Sequence, residues 1–301
     1  MPTPVLFSEL EVSPLENVPE DRRWTPRRVF YATTRARQDD LQRIDYGNTE
    51  SHNISVGMSL IGFDGPSLSW SDLSDYSRMP KRPEVVDLSI AGLVEIGRFE
   101  PHSDGREPED IGGRLSYLMA ELNHSIESAG DRDLLIYVHG AKVNFYNANA
   151  FAAQLDHFMG RDMTSMAFSW PTRQNLAAYG SGADVRRAYR AAPSLTSLLE
   201  VLSRESVARR IHVVCWSAGG RVVTAALKEL YERHCASGDD LRERFRLGTI
   251  YYAAADVPGD EFLDALPAID AVASRVVVTV SSKDGALDTA STFMGGGKRI
   301  G

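Results

Sequence analysis

Cysteine is almost absent from this 301-residue chain. There are two, Cys215 and Cys235, too few for a disulfide framework, and no C-x-x-C pair offers a metal-thiolate site. Long apolar runs are also missing. No stretch approaches the roughly 18–20 uninterrupted apolar residues of a membrane-spanning helix, and the opening MPTPVLFSELEVSPLENVPEDRRW lacks the basic-then-apolar order of a signal peptide. A soluble, cytoplasmic protein without a membrane span is expected. Positive charge is in deficit, 33 Lys and Arg against 41 Asp and Glu for a net −8, which sets the chain as a whole against nucleic acid as a partner. No internal repeat or low-complexity tract is present. At roughly 100–200 residues per domain the length allows one large domain or two small ones, with a substantial core either way.

What is present changes character along the chain. Residues 1–25 are Pro- and Glu-rich without periodicity and read as an N-terminal arm or tail. Six arginines, Arg22, Arg23, Arg27, Arg28, Arg35 and Arg37, then surround the apolar run VFYA at 29–32. The reading is a strand with solvated flanks, an anion-binding patch being the alternative. Up to about residue 105 the pattern stays β-like, with HNISVGMSLIG and VVDLSIAGLVEIG as strands around a looser insertion, SWSDLSDYSRMPKRP.

From about residue 131 short, nearly continuous apolar runs alternate with helical patterns. LLIYV (134–138), MTSMAFSW (163–170), IHVVCW (211–216), LGTIYYAAA (247–255) and RVVVTVSS (275–282) form the series. Buried strands alternating with helices predict a mostly parallel sheet covered on both faces, and the earlier strands add an antiparallel edge. Pro193 should kink or split the helix that follows the second run.

In such sheets ligands sit beyond the carboxyl ends of the strands. After IHVV come Cys215, Trp216, Ser217, Ala218 and Gly219, with a helix directly behind. A strand, a tight turn carrying x-x-S-x-G and a helix are what a nucleophile elbow requires, because the serine projects above the sheet only if the positions two before and two after it are small. Gly219 meets that requirement and Cys215 meets it approximately. An oxyanion hole needs backbone N–H groups fixed before charge develops on the substrate oxygen. Ala218 would supply one. Ala141 would supply the other, since LLIYV runs straight into His139, Gly140 and Ala141. His139 is read as holding that loop, with no proton-transfer role. Trp170, Trp216 and Tyr146 fall near strand ends and could line an acyl pocket or belong to core and rim.

VFYATTR (29–35), YVHGAKVNF (137–145), MAFSWPT (166–172), VVCWSAGGR (213–221), AAADV (253–257) and VSSKDGAL (280–287) together resemble the α/β-hydrolase superfamily, and within it a largely bacterial family of hydrolases of unknown function. The resemblance implies the α/β-hydrolase fold for one domain over 26–301, with N-terminal strands and an insertion over 26–105 and the parallel core over 131–301. It also implies a Ser–His–acid triad acting on a carboxylic ester or related acyl substrate, with no metal or organic cofactor. By the superfamily's chain order the acid follows the serine: Asp284 is preferred and Asp256 is the alternative. The histidine should come last, yet His52, His102, His124, His139, His157, His212 and His234 all precede Asp284. The chain is therefore expected to lack the C-terminal His loop. The alternative is a noncatalytic α/β-hydrolase-like protein that binds a ligand or serves in assembly.

Overall fold

The computed structural model describes residues 13–23, 26–40, 43–64, 68–102, 108–280 and 298–301, together with Pro4, Phe7 and Glu9. Nine strands form one sheet: β1 (Arg27–Asp40), β2 (Arg43–Asp64), β3 (Asp87–Glu100), β4 (Glu109–Ile111), β5 (Leu134–Val138), β6 (Thr164–Ser169), β7 (Ile211–Trp216), β8 (Leu247–Ala253) and β9 (Ala273–Val278). Their spatial order is β4-β3-β2-β1-β6-β5-β7-β8-β9. From β1 through β9 the neighbours are parallel, while β2, β3 and β4 pair antiparallel at one side. This is the expected mostly parallel sheet with an antiparallel N-terminal edge. The five apolar runs after residue 131 supply β5 to β9; residues 281 and 282 of the last run lie outside the described residues.

Eight helices accompany the strands among the described residues: α1 (Trp70–Tyr76), α2 (Leu115–Ser128), α3 (Phe145–Phe158), α4 (Leu176–Gly180), α5 (Ala183–Glu205), α6 (Gly219–His234), α7 (Leu241–Phe245) and α8 (Gly259–Val272). Alternate strand residues divide between two cores, as the two-residue side-chain period requires. Phe30, Ile136, Val138, Met166, Phe168, Val213 and Cys215 pack with α2, α5, α6 and α8. Val29, Tyr31, Tyr137 and Ala167 point the other way and pack with α1 and α3. Runs buried on both faces lose the polar half of the strand pattern, which is why they read as continuous.

Three local expectations need correction. The stretch 69–83 is not simply loose: Ser69 Oγ accepts the Asp72 N–H at 3.1 Å and Asp72 accepts the Ser69 N–H at 3.0 Å, a reciprocal cap that starts α1. Helix α5 runs unbroken through Pro193, and the interruption comes ahead of it at Gly182, whose φ is +73°. A stripe of Ala188, Ala191, Ala192, Leu195, Leu198, Leu199 and Leu202 buried in the main core carries the helix past the missing N–H. The arginines around VFYA are not uniformly solvated either. Arg35 is fully buried, Arg27 donates to Asp156 Oδ2 at 2.9 Å, and Arg23 donates to the Val18 carbonyl at 2.9 Å.

Candidate active site

Strand β7 alternates between buried Ile211, Val213 and Cys215 and the more open His212, Val214 and Trp216. It ends in Ser217, whose φ of +49° is uncommon for a residue with a β-carbon, and α6 begins two residues later. The turn is clamped from β8's side. The Ser217 N–H donates to the Ala253 carbonyl at 3.0 Å, and the Ser217 carbonyl accepts the Gly220 N–H at 2.9 Å and the Asp256 N–H at 3.0 Å. Ala254, opposite, is also left-handed at φ +43°. Gly219 is required by contact: a Cβ there would stand 2.5 Å from the Val138 oxygen and 2.7 Å from the His139 oxygen. The first turn of α6 thus lies directly on the end of β5. Ser217 is half-buried, and among the described residues its hydroxyl makes no hydrogen bond. Cys215 is enclosed beneath it, with its thiol pushed up by burial.

The loop after β5 meets this turn. A Cβ on Gly140 would lie 3.0 Å from the Ser217 Cβ and 3.0 Å from the Trp216 oxygen, so a side chain there would press directly on the turn. His139 is completely buried. Its Nε2 accepts the Trp170 backbone N–H at 3.1 Å, which places the ring proton on Nδ1, 2.7 Å from the Gly140 oxygen it donates to. Burial, and after it the Arg35 charge, push its pKa down to about 3, so the ring is neutral. Trp170 stacks on it at 5.4 Å between ring centroids and donates its indole N–H to the His139 carbonyl at 2.7 Å. Ala141 follows, half-buried against the main core. Lys142 is left-handed at φ +58°, and Asn144 caps α3 by accepting the Asn147 N–H at 2.7 Å.

Arg35, which no motif had marked for a role, holds this loop from below. It donates to the Val143 carbonyl at 2.6 Å, to Ser169 Oγ at 2.9 Å, to the Gly47 carbonyl at 3.0 Å and to Asn48 Oδ1 at 3.2 Å. Thr172 donates to the same Val143 carbonyl at 2.8 Å. The signal was its place at the end of VFYATTR. What it meant was hidden, because every acceptor is distant in sequence.

Asp256 lies on the other flank, fully buried. Arg221, from the first turn of α6, approaches it at 3.3 Å, Arg299 at 2.7 Å, and the Tyr179 hydroxyl donates to it. Burial pushes this carboxyl up to about 6 against the pull of Arg299, with Glu261 adding to the rise. The last residues dock beside it: Ile300 N–H donates to the Val257 oxygen at 3.1 Å and Gly259 N–H to the Lys298 oxygen at 2.9 Å. Asp284 lies outside the described residues. Of the aromatic pocket candidates, Trp170 is walled in, Trp216 is 52% exposed beside Ser217, and Tyr146 lines a cavity of about 630 Å³ with Ile44 and residues 88–93, away from Ser217. Among the described residues no group of three or more His, Cys, Asp or Glu is arranged to hold a metal, and no helix is long and apolar enough to cross a membrane.

A parallel core with an antiparallel edge, and a left-handed residue turning from the interior parallel strand β7 into a helix, define the α/β-hydrolase class. The chain belongs to the family described as alpha/beta hydrolase of unknown function (DUF900), which it matches over residues 116–301. No curated protein and no solved structure matches it.

Proposed function

We propose that the chain is a serine hydrolase of a carboxylic ester or related acyl substrate, with the turn at 216–219 as its nucleophile elbow. The observation that carries this reading is the left-handed Ser217 at the carboxyl end of β7, its hydroxyl unbonded, with glycines on both sides where other backbone comes closest. In the reaction Ser217 Oγ attacks the acyl carbon and the alcohol leaves. Water then releases the acid from the acyl-enzyme. The N–H groups of Ala218 and Ala141 are the donors for the carbonyl oxygen as it becomes an oxyanion. Asp284 is the acid of the triad. Asp256 is the weaker candidate, because its carboxylate already faces Arg221 and Arg299.

All seven histidines of residues 1–301 precede Asp284, so no general base is assigned, and the reading to be tested against this one is a noncatalytic ligand-binding protein on the same fold. Without a general base a serine loses roughly 10²- to 10⁴-fold in reactivity. The discriminating experiment is labelling by a fluorophosphonate probe followed over hours, with intact-mass analysis and with Ser217→Ala as the control. Slow single-site labelling that Ser217→Ala removes is the expected result. Labelling that persists in Ser217→Ala excludes this nucleophile, and no labelling at all leaves the noncatalytic reading.

A further inference from the structure

A cavity of about 260 Å³ opens at the amino ends of the parallel strands β1 and β6, whereas Ser217 follows the carboxyl end of β7. Its walls carry Arg22, Arg27, Arg28 and Arg161, and among the described lining residues Asp21 is the single carboxylate. The lining thus presents four guanidinium groups and one carboxylate to the cavity. The acidic partners of these arginines stand outside the lining. Asp156 holds Arg27 by its Nε at 2.9 Å and Asp162 holds Arg22, fixing two guanidinium planes at the rim. Arg161 is fully buried and donates to His157 Nδ1 at 3.1 Å and to the Arg23 carbonyl at 3.0 Å. Burial and the neighbouring Arg27 push its pKa down to about 9, so it keeps its charge at neutral pH.

Arg28 is different. Its side chain is 44% exposed, and Glu121 stands 3.7 Å away, beyond hydrogen-bond length. That fork lines the cavity while held by this longer ion pair. Hydroxyls complete the wall: Ser125 Oγ and Thr164 Oγ1 lie 3.0 Å apart, and Ser128 lines the same space.

The carboxylates paired with Arg22, Arg27 and Arg28 are not in the lining, so the cavity itself faces guanidinium groups, which favours an anion there. Planar guanidinium forks beside hydroxyl donors match the tetrahedral, multiply charged oxygens of a phosphoryl group better than a single carboxylate. The volume lies just under the roughly 300–1,000 Å³ of pockets for drug-sized ligands, which suits a phosphoryl group with a small body. We propose that this cavity binds a soluble phosphate monoester at a site separate from the Ser217 turn.

The test is calorimetric titration of the full chain at neutral pH and constant ionic strength, with inorganic phosphate, with glycerol 3-phosphate and with phosphatidic acid vesicles. Saturable one-site binding of the two soluble ligands is expected. Arg28→Glu should weaken it by at least about tenfold, Asp21→Asn should tighten it, and Ser217→Ala should leave it unchanged. Both charge variants alter exposed side chains, so their folding is not at issue. The proposal is overturned by dilution heats alone, by binding to vesicles only, by Arg28→Glu binding as tightly as the parent, or by weakened binding in Ser217→Ala.

Discussion

Ser217 occupies a backbone conformation that costs a residue with a β-carbon of order 1–3 kcal/mol, sustained only when the surroundings over-determine it. Here they do, through Ala253, Asp256 and Gly220 on its two backbone polar groups. His139 shows the same logic with a side chain. Both ring nitrogens are committed, one as donor and one as acceptor, so a second proton would break the bond to Trp170. Its folded pKa is lowered to about 3, whereas in the unfolded chain it titrates near 6.5. Between those values the unfolded state binds a proton that the folded state refuses, so stability is present above about pH 6.5 and is lost as pH falls toward 3. The full loss is of order 5 kcal/mol. His139→Gln should flatten the fall in urea midpoint between about pH 6.5 and pH 4. An acid limb as steep as the parent's would show that His139 does not carry it.

At the scale of elements, the loop 139–144 is fixed by groups from strands far apart in sequence. Arg35 leaves β1 and reaches Val143, Ser169, Gly47 and Asn48, tying the β1–β2 hairpin, the end of β6 and the loop together. Its partners are neutral oxygens, and hydrogen bonds from a charged donor contribute about 1.5–3 kcal/mol each when made and leave a buried acceptor exposed to loss when not. Arg35→Met should lower the unfolding free energy by about 2–4 kcal/mol. Arg35→Lys should recover less than half of this, because a compact ammonium cannot span the fork's separated acceptors. Urea denaturation of the three proteins decides it. Full recovery by lysine would mean that charge alone matters there.

For the whole molecule, the consequence of the topology is mechanical continuity. The antiparallel strands β2 to β4 share one hydrogen-bonded sheet with the parallel strands, joined where β1 pairs β6 from Phe30–Met166 to Thr33–Ser169. The main core runs from Phe30 and Ile54 through Val213 to Val272 without a gap. A sheet and core shared in this way should unfold as one cooperative unit. Tryptophan fluorescence and far-ultraviolet circular dichroism should therefore give coincident urea transitions. Two separated transitions would mean that the segment before about residue 105 folds independently of the rest.

LLIYV and MTSMAFSW were legible as strands because burial on both faces leaves an unbroken apolar run, a property written locally. The turn around Ser217 was legible for a similar reason: a serine followed two residues later by glycine, between a strand and a helix, specifies its own backbone problem. The reciprocal cap of Ser69 and Asp72 was equally local, yet was overshadowed by the turn-forming residues around it. Pro193 misled because helix propensity is a local preference, and the buried stripe along α5 outweighs it only once the core exists. Arg35 could not be read at all. A charged residue is solvated by default, and the burial of Arg35 within β1 depends on acceptors 12, 108 and 134 residues away. The sequence by itself determined which segments form the parallel strands and where a tight strand–serine–helix turn would form, since those follow from periodicity and from steric demands on neighbouring residues. Only the tertiary structure decided that β1 lies parallel beside β6, that Asp256 is enclosed by two arginines and that Arg22, Arg27, Arg28 and Arg161 line one cavity, because like and unlike charges from distant segments become neighbours only when the strands that carry them pair.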